Sequence, residues 1–306
     1  MTAGPSESAN TGLPLPSRLY LPKLDRAPAT IIEYLAARFP RMSEQVWRDR
    51  IARRTVRFDD GTPVRIDSRY RHGQTLLYRR EVPGEPEPGA EPVILYQDDR
   101  ILVADKPSGM VVSPTGDHLE RALQVRLQRA TGLIDLAPMH RLDRDTAGLV
   151  LFSVEPDTRG AYHQMFPERR ITKEYLAVAY AGQVRPGQQW RVENRLETGK
   201  PWYRQQIGDG PVNAISDIRC LEQHEGRALF RIHPVTGKQH QIRIHLASIG
   251  CPIVGDTLYP EMRDRNAPDG PLQLLARRLA FTDPVTGQPR RFVSLQSLDW
   301  SGPQAQ

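Results

Sequence analysis

The densest cluster of residues that could carry out chemistry lies at 140–146, shortly before an apolar run at 149–152. Six of these seven residues are polar, and two of them, Asp143 and Asp145, are carboxylates that stand beside arginines. The apolar run contains β-branched and aromatic residues, which predicts the start of a buried strand. Charged groups held against a buried strand are costly unless they pair or react. The cluster is therefore either a catalytic turn or a charged, solvated loop.

Four classes of site or reaction are disfavoured by residue spacing. His240 and His245 are five residues apart with no cysteine or carboxylate in register, so we expect no metal site. The sequence has neither a glycine-rich loop ending in Gly-Lys-Ser/Thr nor a Gly-x-Ser-x-Gly turn, which argues against nucleotide hydrolysis and a serine hydrolase. Asp143 and Asp145 also suggest an aspartyl-phosphate enzyme, but there the carboxylates follow a buried strand, whereas here they precede it.

The overall composition favours a protein that binds nucleic acid. The net charge is +6, and 37 of the 42 basic residues are arginines, whose planar guanidinium suits phosphate contacts and base stacking. A codon bias towards arginine would give the same ratio. The sequence contains no apolar run long enough for a membrane helix and no signal-peptide pattern. Its two cysteines form no disulfide framework, so we expect a cytoplasmic protein without a membrane partner.

Composition divides the chain into four parts. We predict a disordered tail at 1–28, a small α+β module at 29–80, a linker rich in proline and glutamate at 81–92 and a catalytic domain at 93–300. In the module, two helices precede a hairpin and the second helix is rich in arginine, an arrangement similar to S4-type RNA-binding modules. We expect four of its arginines to contact RNA: Arg48, Arg50, Arg53 and Arg54. The alternative is a charged helical face without a ligand.

The 93–300 segment mixes many short strands with few helices. The two do not alternate strictly, so we predict an α+β fold with a mainly antiparallel mixed sheet rather than a doubly wound parallel sheet. Helices are expected at 117–131 and 157–166, and a strand at 172–180. The polar segment 236–246 fits either a helix or a strand, and the following glycine and proline favour a helix.

Five segments, in order, resemble the RluA-type RNA pseudouridine synthases. The strongest is His-Arg-Leu-Asp followed by Thr-Ala-Gly-Leu, and the complete set is 105–112, 140–149, 173–177, 236–243 and 252–256. The departures from the family pattern are Ala147, where serine is common, and Lys238 and Gln239, which replace the usual arginine and threonine. The resemblance implies a pseudouridine synthase fold and isomerisation of uridine in RNA, with no cofactor and no metal.

The resemblance also implies roles for individual residues. Asp143 corresponds to the carboxylate that acts near C1′ of the ribose, and Arg243 to the cation that keeps it charged. Tyr175 corresponds to the residue that stacks under the target base, and Arg141 to the side chain that replaces the flipped uridine. Lys173 lies two residues before Tyr175 on the same strand face, and we expect it to contact RNA.

Two functions remain possible at this point. The first is a monomeric enzyme that converts specific uridines of rRNA or tRNA to pseudouridine. The second is a catalytically silent RNA-binding protein on the same fold, against which the presence of Asp143, Tyr175 and Arg243 argues.

Overall fold

The chain forms two compact units, Met1–Gly84 and Glu85–Gln306. The boundary falls inside the predicted linker at 81–92, most of which lies outside the described residues. No helix in the described part of the chain is long and apolar enough to cross a membrane. The computed structural model describes residues 17–40, 42–78, 85, 90–116, 118–264 and 270–301.

The N-terminal unit packs two helices against a three-stranded antiparallel sheet of order β1-β3-β2. Trp47 is fully buried in its core, and the rings of Phe39 and Tyr78 lie 5.4 and 5.3 Å from it. Ser43 caps the second helix, because its hydroxyl accepts a hydrogen bond from the Val46 N–H. The elements are β1 (Ser17–Tyr20), α1 (Ile31–Arg38), α2 (Glu44–Ala52), β2 (Val56–Phe58) and β3 (Thr75–Tyr78).

The prediction of a disordered tail over 1–28 is wrong for its last part. Ser17–Tyr20 form β1 and pair with β3, while residues 1–16 lie outside the described residues. The next residue, Leu21, is fully buried and exchanges backbone hydrogen bonds with Gln74 and Gly73. One buried leucine and one row of ladder hydrogen bonds therefore order a segment that its proline-rich composition had suggested was disordered.

The second unit is built on an eleven-stranded sheet with the order β10-β9-β11-β12-β8-β13-β7-β5-β4, in which β14 pairs with β13 and β6 with β7. All pairings of the described residues are antiparallel except that of β13 with β7, which confirms a mainly antiparallel mixed sheet. Its elements are β4 (Val93–Gln97), β5 (Ile101–Lys106), α3 (Leu123–Thr131), β6 (Ala137–Pro138), β7 (Ala147–Ser153), α4 (Arg159–Gln164), β8 (Ile171–Tyr180), β9 (Gln189–Thr198), β10 (Gln205–Gly208), β11 (Ala214–His224), β12 (Arg227–Pro234), α5 (Gln241–Ser248), β13 (Leu274–Thr282) and β14 (Pro289–Val293).

The predicted helices are present with different lengths. The helix expected at 117–131 begins only at Leu123, and its expected first residue, Asp117, lies outside the described residues. The polar segment 236–246 is helical from Gln241 onwards, in agreement with the predicted helix, and this part belongs to α5. Ile242 and Leu246 of α5 pack into the core that also contains Ala177 of β8, so that α5 is held against one face of the sheet.

A close approach of two strands positions the polar turn at 140–146. β7 begins directly after this turn and pairs with β13 through Ala147 with Leu275 and Gly148 with Ala276. Gly148 has a φ of +113°, and a Cβ atom there would lie 2.4 Å from the Ala276 carbonyl oxygen. Only glycine permits this contact, and it keeps the turn close to the centre of the sheet.

Candidate active site

The carboxylate of Asp143 lies in a cleft of about 420 Å³ on the second unit. The backbone carbonyl of Asp143 accepts a hydrogen bond from the Thr146 N–H, which closes the turn, and the side chain remains 21% exposed. Tyr175 and Arg243 line the same cleft. The structure therefore brings together three side chains from a stretch of about a hundred residues, 143–243.

Arg243 reaches Asp143 from the first turn of α5 but is held by a different carboxylate. Its Nη1 lies 3.7 Å from Asp143 Oδ2, while its Nε and Nη2 donate to Asp256 at 2.8 and 2.6 Å. Both Arg243 and Asp256 are buried. Burial alone would lower the pKa of Arg243, but the hydrogen bonds and charge of Asp256, with Asp143 contributing, hold the pKa above its usual value. The guanidinium therefore presents a fixed positive charge to Asp143.

His240 is a second neighbour of the Asp143 carboxylate. Its Nε2 lies 3.8 Å from Asp143 Oδ2, and its Nδ1 lies 2.9 Å from the hydroxyl oxygen of Tyr259. That oxygen already accepts a hydrogen bond from the Gln205 N–H, so its own proton is free to be donated to Nδ1. Burial lowers the pKa of His240, although the negative charge of Asp143 opposes this, and the ring is neutral near pH 7. A neutral ring that accepts at Nδ1 carries its proton on Nε2, facing Asp143.

β8 supplies two more of the predicted side chains of the cleft. Lys173 and Tyr175 both line it, in agreement with their predicted common face on this strand. Burial, with the charge of Asp143, raises the pKa of Tyr175, so its hydroxyl stays protonated at neutral pH. Burial also lowers the pKa of Lys173, whose ammonium donates to the Thr236 carbonyl at 3.4 Å. The cleft therefore offers a phenol proton and a cation beside the carboxylate.

A fully buried lysine holds the turn at 140–146 in place. Lys106 Nζ donates to three carbonyl oxygens, those of Pro107, Met110 and Arg144, at 2.8 to 2.9 Å. Burial lowers the pKa of Lys106 to about 7, and the negative charges of Asp145 and Asp143 act in the opposite direction. The three acceptors match the three ammonium protons. Ser108 adds a hydrogen bond to the Asp145 carbonyl at 2.8 Å. The strand-turn-strand around Lys106 thus fixes the backbone beside Asp143.

His140 shapes the turn by hydrogen bonding. Its Nε2 accepts the Leu151 N–H at 3.1 Å, and burial lowers its pKa to about 3, with the positive charge of Lys173 contributing. Arg144 and Asp145 form an ion pair with each other at 2.8 Å, so Asp145 is not the carboxylate that Arg243 faces.

Sequence reasoning gave no role to several residues that support the site. Asp256 is the final residue of the last motif and Tyr259 follows it. Gln241 holds the loop before α5 by accepting from the Thr236 hydroxyl and the Lys238 N–H. The motif at 252–256 contains Asp256, so the family pattern pointed to its position without showing its partner. The spacing of His240 in the sequence suggests no role other than that of a disfavoured metal ligand. Among the described residues, no group of three or more histidines, cysteines and carboxylates is arranged to hold a metal ion.

The residues predicted to bind RNA differ in exposure. Arg141 is exposed and lines the cleft. In the N-terminal unit, Arg53 and Arg54 are exposed, and Arg48 is partly exposed and paired with Glu44 at 2.6 Å.

Arg50 is a wrong prediction for RNA binding. Its side chain is buried, its guanidinium lies over the Trp47 ring at 5.1 Å, and Nη1 donates to the Met42 sulfur. A guanidinium in the core of the unit cannot reach a phosphate group, because its position on α2 turns it inward against the aromatic cluster.

Known proteins resemble this chain over most of its length. The family profile for RNA pseudouridylate synthases matches residues 100–248. An uncharacterized RNA pseudouridine synthase of Synechocystis sp. is 31% identical over 239 residues, which are 75% of this chain and 79% of that protein. Ribosomal large subunit pseudouridine synthase C of Escherichia coli is 33% identical over 215 residues, 65% of each chain.

A solved structure shows the same fold. Human RNA pseudouridylate synthase domain containing 1 superposes with a TM-score of 0.58 at 23% identity, covering 69% of this chain and 86% of that one. The chain therefore belongs to the RNA pseudouridine synthase family. Its similarity to the ribosomal large subunit synthases C and D places it with the RluA-type members.

Proposed function

We propose that this chain isomerises specific uridines of structured RNA, in rRNA or tRNA, with Asp143 as the nucleophilic carboxylate. The observation that carries the proposal is the convergence of Asp143, Arg243 and Tyr175 on one cleft. Arg243 is already fixed by Asp256, so the carboxylate meets a cation that needs no rearrangement when RNA arrives.

The reaction needs few participants. The bond between N1 of uracil and C1′ breaks, the base rotates, and a bond forms between C5 and C1′. The proton on C5 leaves and a proton is regained at N1, so the atoms balance and no electrons are transferred to an acceptor. A carboxylate that assists departure of the base and a group that moves a proton are sufficient, and the proposal therefore includes no cofactor. Attack on C1′ and proton removal at C2′ are both compatible with the position of Asp143.

Each further residue of the cleft has an assigned part. Tyr175 stacks against the flipped base and, because its hydroxyl is protonated at neutral pH, can exchange a proton with it. Arg141 is exposed at the rim of the cleft and fills the space the uridine leaves in the RNA stack. Lys173 contributes a positive charge near the phosphate backbone.

The target class rests on the relatives. Ribosomal large subunit pseudouridine synthase D of Xanthomonas campestris is 28% identical over 252 residues, and tRNA pseudouridine synthase C of Pectobacterium carotovorum is 28% identical over 227 residues. Both rRNA and tRNA are therefore candidate substrates, and we propose that the chain acts on one of them as a cytoplasmic monomer.

Tritium release tests the activity. Unmodified transcripts of tRNAs and of large subunit rRNA, labelled with tritium at uridine C5, are incubated with the full chain. Isomerisation replaces the C5 hydrogen, so the proposal expects release of tritium to water from at least one transcript. RNA that is bound without tritium release from any transcript would contradict the proposal and favour the catalytically silent RNA-binding protein.

The N-terminal unit has its own proposed role. We propose that Arg48, Arg53 and Arg54 contact RNA phosphates and that the unit serves as an S4-like RNA-binding module. Arg53 and Arg54 are exposed at the end of α2, which supports this role, and the order of two helices followed by a hairpin agrees with it.

A further inference from the structure

The hairpin of β9 and β10 exposes two aromatic side chains at its tip, residues 199–204. Trp202 is 75% exposed and Tyr203 is 36% exposed, with their rings 5.8 Å apart in an edge-to-face arrangement. Tryptophan side chains are highly buried on average, so an indole exposed to this extent beside a second aromatic ring is a candidate contact surface for a partner.

The tip is ordered by its own backbone. The Gly199 N–H donates to the Arg204 carbonyl, and the Arg204 N–H donates to the Pro201 carbonyl, both at 2.9 Å. The aromatic side chains are therefore carried on a closed turn, and a partner that stacks on them would not have to order the loop first.

The base of the tip is connected to the active site. The Arg204 guanidinium lies 5.1 Å from the Tyr259 ring centroid, its Nη2 donates to the Pro260 carbonyl at 3.0 Å, and the Gln205 N–H donates to the Tyr259 hydroxyl at 2.8 Å. Tyr259 in turn contacts His240 and lies under Arg243, both neighbours of Asp143. The side chains of Tyr259 and His240 therefore link the base of the hairpin to the Asp143 carboxylate.

The charges of the tip select the class of partner. Lys200 and Arg204 are its only charged residues, and no acidic residue occurs in 199–204. The carboxylate of Glu197, lower on the hairpin, accepts a hydrogen bond from the Gln206 amide at 3.1 Å. Aromatic rings between cations match the combination that binds unpaired RNA, in which bases stack on the rings and phosphates meet the cations.

We infer that the tip at 199–204 is an RNA-binding element of the catalytic unit, on which an unpaired base beside the target uridine stacks against Trp202. The inference rests on the proposed function, since it takes the RNA in the cleft as the ligand. Trp202 and Tyr203 do not line the cleft and do not belong to the N-terminal unit, so the roles proposed above do not include them.

Binding of RNA by three variants of the full chain tests the inference. The probes are a single-stranded oligouridylate and a pool of unmodified tRNA and rRNA transcripts, measured by filter binding. Trp202→Ala should weaken binding of both probes about ten-fold, as expected for loss of one stacked base. Trp202→Phe should stay within about three-fold of the wild type, because a phenyl ring still stacks. Leu295→Ala removes an apolar side chain of equal exposure, 74%, and should leave binding unchanged.

The outcomes separate this inference from the proposed function. Trp202-dependent binding without tritium release would leave the tip as an RNA site and overturn the enzymatic proposal. Tritium release with full binding by Trp202→Ala would leave the enzyme and overturn the inference. Equal losses in Trp202→Ala and Trp202→Phe, or absence of RNA binding by the wild type, would also overturn it. The inference would also be overturned if Trp202→Ala bound RNA like the wild type but had a different oligomeric state, because the tip would then contact protein.

Discussion

Arg243 makes its two short hydrogen bonds with Asp256, at 2.8 and 2.6 Å, and meets Asp143 only at 3.7 Å. Asp256 also accepts the backbone N–H groups of Leu258 and Tyr259, so one carboxylate fixes both the guanidinium and the loop that follows it. The site is therefore a carboxylate beside a cation whose position is set by a second, buried carboxylate.

Replacing Asp256 by asparagine should reduce activity without removing RNA binding. The amide keeps one acceptor but loses the charge, so Arg243 is left buried with a weaker partner. We expect the single-turnover rate to fall about ten- to a hundred-fold, with a smaller change in KM. Asp283→Asn is the matched control. Asp283 is also a buried carboxylate that pairs with an arginine, Arg290, at a distance of 3.5 Å, and neither residue lines the cleft. An equal rate loss in both variants would show a general folding effect.

Removing the Tyr259 hydroxyl should change the proton position on His240. In Tyr259→Phe the Nδ1 atom loses its donor, so the ring can carry its proton on either nitrogen. Nitrogen-15 chemical shifts of His240 should move from the Nε2–H tautomer to a mixture, and the rate should fall by up to about ten-fold. Unchanged shifts would contradict the assignment of the Tyr259 proton to Nδ1.

Stability should depend on pH through His140. Burial lowers its pKa in the folded chain to about 3, whereas an unfolded histidine titrates near 6.5. As pH falls from about 6.5 to 3, the unfolded state takes up a proton that the folded state does not, so the free energy of unfolding decreases, by up to about 1.4 kcal/mol per pH unit. Urea unfolding between pH 4 and 7 measures the slope.

Two variants isolate the part of the slope that belongs to His140. His140→Gln can still accept the Leu151 N–H and should show the smaller slope, although His245, whose pKa burial lowers to about 4, still contributes in the same direction. His72→Gln replaces an exposed histidine and should retain the slope of the wild type. Identical slopes in all three proteins would contradict a buried, neutral His140.

Charge removal on the N-terminal unit should change the salt dependence of RNA binding. The double variant Arg53→Gln, Arg54→Gln should lose up to two phosphate contacts, which lowers the slope of log K against log salt by up to about 2. The matched double variant Arg185→Gln, Arg291→Gln changes exposed arginines of the second unit that do not line the cleft. Equal slopes in both double variants would argue against a phosphate-binding surface at the end of α2.

The sequence predicts the parts of the fold that depend on local patterns. The alternation in 172–180 identifies β8 and the face of Tyr175, and the glycine and proline after α5 decide between helix and strand. Local pattern fails where a distant contact decides. β1 is ordered by Leu21 packing under another strand, and Arg50 is buried because a tryptophan one turn away receives its guanidinium.

The candidate site shows the same division. Family resemblance identifies Asp143, Tyr175 and Arg243, because each lies in a motif. It does not identify the Asp256–Arg243 pair or the contact of Tyr259 with His240, since both depend on how the loop after α5 folds back over the helix. Pairings of this kind need three-dimensional positions.

The central claim is that Asp143 is the carboxylate that carries out the isomerisation. The most direct test is single-turnover tritium release from C5-labelled RNA by Asp143→Ala. Asp145→Ala is the control, because Asp145 lies two residues from Asp143 and is paired with the neighbouring Arg144. Both variants should bind RNA. Asp143→Ala should release no detectable tritium, and Asp145→Ala should release it at a rate within about ten-fold of the wild type. Tritium release by Asp143→Ala at a rate close to that of the wild type would contradict it.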